Sequence, residues 1–179
     1  MFIKPDFNVE KLEDIDFDFL KNQGKKILFF DLDSTLMPSK LGEYLPKTKE
    51  LIQKLKQNFT VVILSNNTKQ DYIDKVRSIS DIEVISHAAK PGTKVMLDYL
   101  NKNNFKIEEA VIIGDRPLTD ILCGKRACIT TILVDSITKD TEHKIVRFAR
   151  WLERLTIKKY LLLSVQYLLL VWLLFMAQD

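Results

Sequence analysis

Five short apolar runs, separated by stretches of helical spacing, leave this chain few folds to choose from. Ile27 to Phe30, Thr60 to Leu64, Glu83 to Ser86, Ala110 to Ile113 and Thr130 to Val134 are rich in Ile, Val and Phe. Polar or glycine residues bound each of them, a pattern that predicts buried strands. Between them, Lys47 to Gln57 places Leu51, Ile52 and Leu55 on one helical face, and Thr68 to Ser78 and Thr93 to Lys102 are similarly amphipathic. Thr119 to Arg126 is a shorter helical candidate. Alternation of this kind predicts an α/β fold, a doubly wound parallel sheet with helices on both faces and right-handed crossovers. Ligands of such open sheets bind outside the carboxyl ends of the strands, so the residues that follow each run carry the functional information.

The rest of the composition narrows the class. A chain of 179 residues suits one domain with an appendage. Lys and Arg number 27 against 24 Asp and Glu, a balance without the strong basic excess of a nucleic-acid binder. Cys123 and Cys128 are too few for a disulfide framework and lack the company of a Cys/His metal site. The acidic start of the chain has neither the basic and apolar regions of a secretory leader nor the composition of a transit peptide. The expected organisation is an entry segment over 1–24, a core over 25–140, a basic amphipathic helix over 141–159 and an apolar C-terminal helix over 160–179.

The first run ends in LFFDLDSTL, two carboxylates two residues apart directly after buried apolar residues. An ionised carboxylate taken from water without a partner costs several kcal/mol or more, so something must receive Asp31 and Asp33. Other strand ends supply candidates: Ser65, Asn66 and Asn67 after the second run, Lys90 and Pro91 before the third helix, and Gly114, Asp115 and Asp120 after the fourth run. Taken singly, these residues could be turns, helix caps or solvated charges.

Together, DLDST, ILSNN, AKPG and GDRPLTD resemble the haloacid dehalogenase (HAD) superfamily of aspartate-dependent phosphohydrolases. The resemblance implies that Asp31 is the nucleophile, forming an aspartyl-phosphate, and that Asp33 is the general acid and base. It implies Mg²⁺ held by the Asp31 carboxylate, the Asp33 backbone carbonyl and Asp115, with Asp120 as a ligand or a neighbour of one. Lys90 would compensate charge, Ser65 and Asn66 with nearby amides would bind phosphoryl oxygens, and Thr35 would help to fix the first loop. More narrowly, the early KPDFNVEKLEDIDFDFLKNQGKK, GDRPLTDILCGKRA and TILVDSI resemble the YqeG-type family of class IIIA over roughly the first 140 residues. That family is related to phosphatidylglycerophosphate phosphatases of mitochondria and plastids. Ser34 stands where the family usually has Asn, and Arg116-Pro117 replaces a Gln-containing pair.

Neither Thr35 to Ser65 nor Ser65 to Lys90 leaves room for an inserted cap domain, which predicts an open site suited to a macromolecule or a headgroup on a membrane. Near the end, Ile145, Phe148, Trp151, Leu152 and Leu155 share one helical side and Arg147, Arg150, Arg154 and Lys158 the other, as in a membrane-surface helix. Tyr160 to Ala177 follows, almost uninterruptedly apolar and just long enough to span a hydrocarbon core. The positive-inside tendency then places the catalytic domain at the cytoplasmic face. The expectation is a Mg²⁺-dependent phosphomonoester hydrolase acting on phosphatidylglycerophosphate in phospholipid synthesis, with no nucleic-acid partner. Two alternatives stand: the same chemistry on phosphoproteins or nucleic-acid ends, and a membrane-bound interaction module without activity.

Overall fold

The computed structural model describes residues 3–39, 41–139 and 144–155. Its strands are β1 (Phe7–Asn8), β2 (Ile27–Phe30), β3 (Thr60–Leu64), β4 (Glu83–Ile85), β5 (Ala110–Gly114) and β6 (Thr130–Leu133). They form one sheet in the order β1-β6-β5-β2-β3-β4, with every neighbouring pair parallel. The five expected strands are present within a residue at each end. The central pair, β2 and β5, is buried on both faces, which is why these strands read as continuous apolar runs and not as alternations.

Alternate residues of the strands feed two cores. Leu28, Phe30, Val61, Ile63, Val111 and Ile113 pack with Leu20 of α1 (Phe17–Asn22), with Ile52 and Leu55 of α2 (Pro46–Leu55), and with Ile73 and Val76 of α3 (Gln70–Ile79). On the opposite face, Ile27, Phe29, Val62, Leu64, Ala110 and Ile112 pack with Met96 and Leu100 of α4 (Lys94–Lys102) and Cys123 of α5 (Leu122–Arg126). The chain runs outward from β2 through β3 to β4, then returns to place β5 on the other side of β2 and β6 beyond it. The order therefore reverses between β2 and β5, and the crevice at their carboxyl ends is where such a sheet receives a ligand. Asp31 follows β2 and Asp115 follows β5, so both stand at this switch point.

Three differences from the sequence reading have physical causes. The expected helix at Thr119 to Arg126 is instead a π-helical turn over Pro117–Ile121 running into α5. Wide turns of this kind concentrate at functional sites because they re-aim a side chain, here Asp120. Two elements were not foreseen, β1 and α1, because a two-residue strand and a six-residue helix lie below the length at which periodicity speaks. The segment before Lys25 is thereby built into the sheet, and Ile3, Leu12, Ile15 and Leu20 in it are buried. The third concerns α6 (Lys144–Leu155), whose apolar side chains Phe148, Trp151 and Leu152 point away from the domain while Arg150, Glu153 and Arg154 turn onto it. Periodicity defines two faces of a helix but not which of them meets the protein. Among the described residues no helix is long and apolar enough to cross a membrane, and the apolar stretch 160–177 lies outside them.

β1 pairs with β6 through the backbone, and one side chain reinforces that pairing. Asp6 Oδ2 accepts from the Thr131 amide at 2.9 Å and the Thr131 hydroxyl at 2.8 Å, and Oδ1 pairs with Lys125 Nζ at 2.5 Å. Burial alone would raise the Asp6 carboxyl pKa, but Lys125 and Thr131 outweigh it and hold it below the ordinary value. Asp6→Ala is expected to lower unfolding free energy by about 1–2 kcal/mol at pH 7, measured by urea denaturation. Because the folded pKa is depressed, the contribution is full above the unfolded pKa and vanishes as pH falls through the folded one, so the two curves should converge in acid.

Candidate active site

Burial decides the first contact. Lys90 is 5 % exposed, and an ammonium placed there must be met by opposite charge. Its Nζ lies 2.6 Å from Asp31 Oδ1 and 2.7 Å from Asp120 Oδ1. The Asp31 contact is an aligned hydrogen bond, whereas the Asp120 contact is an ion pair whose angle leaves Oδ1 without an aligned donor. Burial works against the Lys90 charge, but Asp120 and Asp31 outweigh it and raise the pKa, so Lys90 is a fixed cation. Asp31 is not fully compensated in return: burial pushes its carboxyl up to about 6 even with Lys90 beside it.

The loop before α4 is shaped to deliver this lysine. Asn66 accepts from the Lys90 amide at 2.7 Å and donates to the Lys90 carbonyl at 2.8 Å, clamping the backbone on either side of the side chain. The Lys90–Pro91 peptide is cis and Ala89 is left-handed, and the Gly92 amide donates to the Ala89 carbonyl at 2.7 Å, which closes a turn here. The side-chain amide of Asn66, expected at the phosphate, is thus engaged with the Lys90 loop. Ser65 is buried, and its Oγ accepts from the Asn67 amide at 3.1 Å.

Asp115 and Asp120 arrive from one turn. Asp120 Oδ2 accepts from the Arg116 amide at 3.1 Å, which folds the π-turn back towards the end of β5. Gly114 is required for this approach, because a Cβ there would overlap the Asp120 carboxylate. Asp115, 2 % exposed, receives the Thr35 hydroxyl at 3.4 Å on Oδ1 and the Arg150 guanidinium on Oδ2. Oxygens of Asp31, Asp115 and Asp120 lie within 4.8 Å of one another. Three carboxylates face two cations, Lys90 and Arg150, and an incoming phosphate adds further negative charge. A hard divalent cation fits this all-oxygen set, and Asp31, Asp115 and Asp120 are the residues that would hold it.

Asp33 stands apart from that cluster. In a continued strand it would share a face with Asp31, but β2 stops at Phe30 and Ser34 adopts a left-handed conformation with φ 69°. The turn sends the Asp33 carboxylate to the Tyr72 hydroxyl at 2.8 Å and to Asn67 Nδ2 at 3.2 Å. Ser34 occupies a conformation that Asn tolerates well, and its hydroxyl bonds those of Ser39 at 2.9 Å and Thr138 at 3.0 Å instead. The structure therefore separates the acids: one set around Lys90, one residue on a polar bracket from α3 and its preceding loop.

Two residues at the site were not singled out for it by sequence. Tyr72 sits on an amphipathic helix, where an aromatic reads as packing. Arg150 belongs to a basic face that reads as solvated. Arg116, a departure from the family pattern, pairs with Glu153, so α6 is fastened to the π-turn as well as to Asp115. Cys123 is a buried thiol whose pKa burial pushes up to about 11, and the imidazole of the exposed His87 bonds the Ser86 hydroxyl at 3.1 Å.

Comparison with known proteins agrees with this geometry. The family model described as mitochondrial PGP phosphatase matches residues 1–138. Phosphatidylglycerophosphate phosphatase 1, chloroplastic/mitochondrial, of Arabidopsis thaliana is 30% identical over 169 residues, covering 89% of this chain and 49% of that protein. The chain thus spans about half the length of that relative. Probable phosphatase YqeG of Bacillus subtilis is 32% identical over 157 residues, covering 86% of this chain and 88% of that one. Among solved structures, a hydrolase from Pseudomonas syringae superposes with a TM-score of 0.52 at 16% identity over 70% of this chain and 90% of that one, a likeness of fold. A six-stranded parallel sheet, acids at its switch point and a match across the whole core converge: the chain belongs to the mitochondrial PGP phosphatase family.

Proposed function

We propose that this phosphatase is a Mg²⁺-dependent phosphomonoester hydrolase that works through an aspartyl-phosphate on Asp31 and acts on phosphatidylglycerophosphate. The observation that carries the reading is the buried Lys90 between Asp31 and Asp120, with Asp115 completing an oxygen cluster at the switch point. Lys90 holds Asp31 by one oxygen and sets its direction of approach. Asp31 attacks phosphorus as the bond to the substrate oxygen breaks, and Asp33 donates a proton to that departing oxygen. Asp33, now a base, takes a proton from water; the water oxygen attacks phosphorus, the bond to Asp31 breaks and phosphate leaves. Mg²⁺ at Asp31, Asp115, Asp120 and the Asp33 carbonyl would supply charge compensation for the phosphoryl oxygens. Ser65, the backbone beside Asn66, and Lys90 would hold those oxygens.

Support for a lipid substrate comes from the relatives' names and from the crevice, over which no inserted cap domain stands among the described residues. Attachment at the cytoplasmic face of a membrane rests on the apolar stretch 160–177 and on α6, where Phe148 and Trp151 are 58% and 55% exposed and stacked at 5.7 Å. An interaction module would have no use for an acid bracketed as Asp33 is.

Asp31→Asn should lower kcat on an aryl phosphate by about four orders of magnitude or more in a phosphate-release assay, with the fold retained by circular dichroism. Unchanged turnover would sink the nucleophile assignment. Mg²⁺ should raise the melting temperature of the wild-type protein, because a ligand binding only the folded state stabilises it by mass action, and Asp115→Asn should abolish that rise. Tyr72→Phe is expected to lower kcat roughly three- to tenfold, the scale of one lost hydrogen bond, with KM little changed, since it frees Asp33 without touching the phosphate.

A further inference from the structure

The hydrolysis accounts for Lys90 but leaves the cations of α6 and the loop before it without a task. They line a cavity of about 290 Å³ that shares Asp115 with the carboxylate cluster and is walled by Asp135, Lys139, Arg150, Trp151 and Arg154. The volume lies at the small end of the range for ligand pockets, about 300–1,000 Å³, which suits a headgroup fragment and excludes a whole lipid. Its polar groups are arranged in sets. Asp135 holds Lys139 Nζ at 3.0 Å and Arg154 at 2.5 Å, while Arg150 rests on Asp115. Among the described lining residues, Lys139 and Arg154 thus share one carboxylate, and Arg150 borrows another from the cluster.

One of those carboxylates has a second claimant. Asp115 belongs to the cluster that would hold the divalent ion, so the ion and Arg150 compete for the same oxygens. An arginine displaced from Asp115 still lines the cavity, beside Lys139 and Arg154, and presents a planar fork suited to phosphate oxygens. The cavity rim is Trp151, stacked on Phe148 and turned outward, so the charged floor has an apolar lip.

We propose that this cavity is a second anion subsite, which binds a phosphodiester joined by a short linker to the phosphomonoester being cleaved at Asp31. The proposal rests on the phosphatase reading and deepens it: the cleavage site reads the terminal monoester, and Lys139, Arg150 and Arg154 read the anion next to it. A phosphodiester carried by a lipid and one carried by a soluble glycerol compound present the same group, and the subsite recognises that shared chemistry.

The test uses the full chain and two soluble substrates, glycerophosphoglycerophosphate, which carries both groups, and glycerol 3-phosphate, which carries the monoester alone. The wild-type protein is expected to prefer the first by about tenfold or more in kcat/KM, the scale of a charge-assisted contact. In Lys139→Gln with Arg154→Gln that preference should fall about tenfold through KM. Arg154 also donates to the Val134 carbonyl at 3.0 Å, so Lys139→Gln alone, at an exposed ion pair, guards against misfolding and should cut the preference about threefold. A preference unchanged in both variants overturns the subsite. A loss seen only when the diester is presented in vesicles, with phosphatidic acid as the monoester control, also overturns it, because the cations would then be reading the bilayer surface. A wild-type protein that cleaves none of these compounds overturns the phosphatase reading and the subsite with it.

Discussion

A buried lysine between two aspartates is the constraint on which the site is built. Lys90 could not stay charged at its depth without Asp31 and Asp120, and neither Asp31, at the end of β2, nor Asp120, in the buried π-turn, could stay charged without it. The three residues come from different crossovers, so their pairing draws the ends of β2 and β5 and the loop before α4 to one point. Much of the local chain geometry serves that meeting: the Asn66 clamp on the Lys90 backbone, the missing Cβ of Gly114 and the π-turn that folds Asp120 inward. The pair of cations nevertheless falls short of the three acids, and burial, offset only in part by Lys90, holds the Asp31 carboxyl up at about 6.

The same deficit separates the two acids of the DLD motif. If Asp33 faced the cluster as well, a fourth carboxylate would join an already undercompensated group, at a cost that grows in a low-dielectric pocket. The end of β2 and the left-handed Ser34 prevent this by turning Asp33 towards neutral donors, Tyr72 and Asn67. Asp31, the proposed nucleophile, meets a cation that holds and aims it, whereas Asp33, the proposed proton carrier, is held by neutral donors. Two residues apart in sequence, the acids are given these different surroundings by the geometry of one loop.

What could be read from sequence, and what could not, follows from the range of the forces involved. The β2 to β6 strands and the acids behind them were legible because each announces itself within a few residues, as an apolar run followed by charge. The order of the motifs was sufficient to bring Asp31, Ser65, Lys90, Asp115 and Asp120 to one sheet edge. Tyr72 was hidden because its role depends on where a turn 39 residues earlier aims Asp33. The two-residue β1 pairs with β6 and is reinforced by Asp6 meeting Thr131 across 125 positions, and no local pattern encodes such a pairing. In α6 the periodicity was correct, but the acidic edge of the sheet, and not any property of the helix, decides that its basic side turns inward.

That orientation gives α6 a meaning beyond packing. An amphipathic helix in a water-soluble domain ordinarily buries its apolar side, because that side contributes most on leaving water. Here the contacts to the domain are ionic, Arg150 to Asp115, Glu153 to Arg116 and Arg154 to Asp135, and the aromatic side is left outward. The Glu153–Arg116 and Arg154–Asp135 pairs are partly exposed and contribute little each, and the buried Arg150 shares Asp115 with the carboxylate cluster, so the helix is held by contacts that other charges can replace. Every one of these contacts lies within the π-turn, the end of β6 or the carboxylate cluster, the places that an anionic substrate and its counter-ion would alter. A helix fastened to the site by exchangeable charge, with aromatic surface on its far side, is arranged so that the chemistry at the switch point and whatever meets that surface act on the same element.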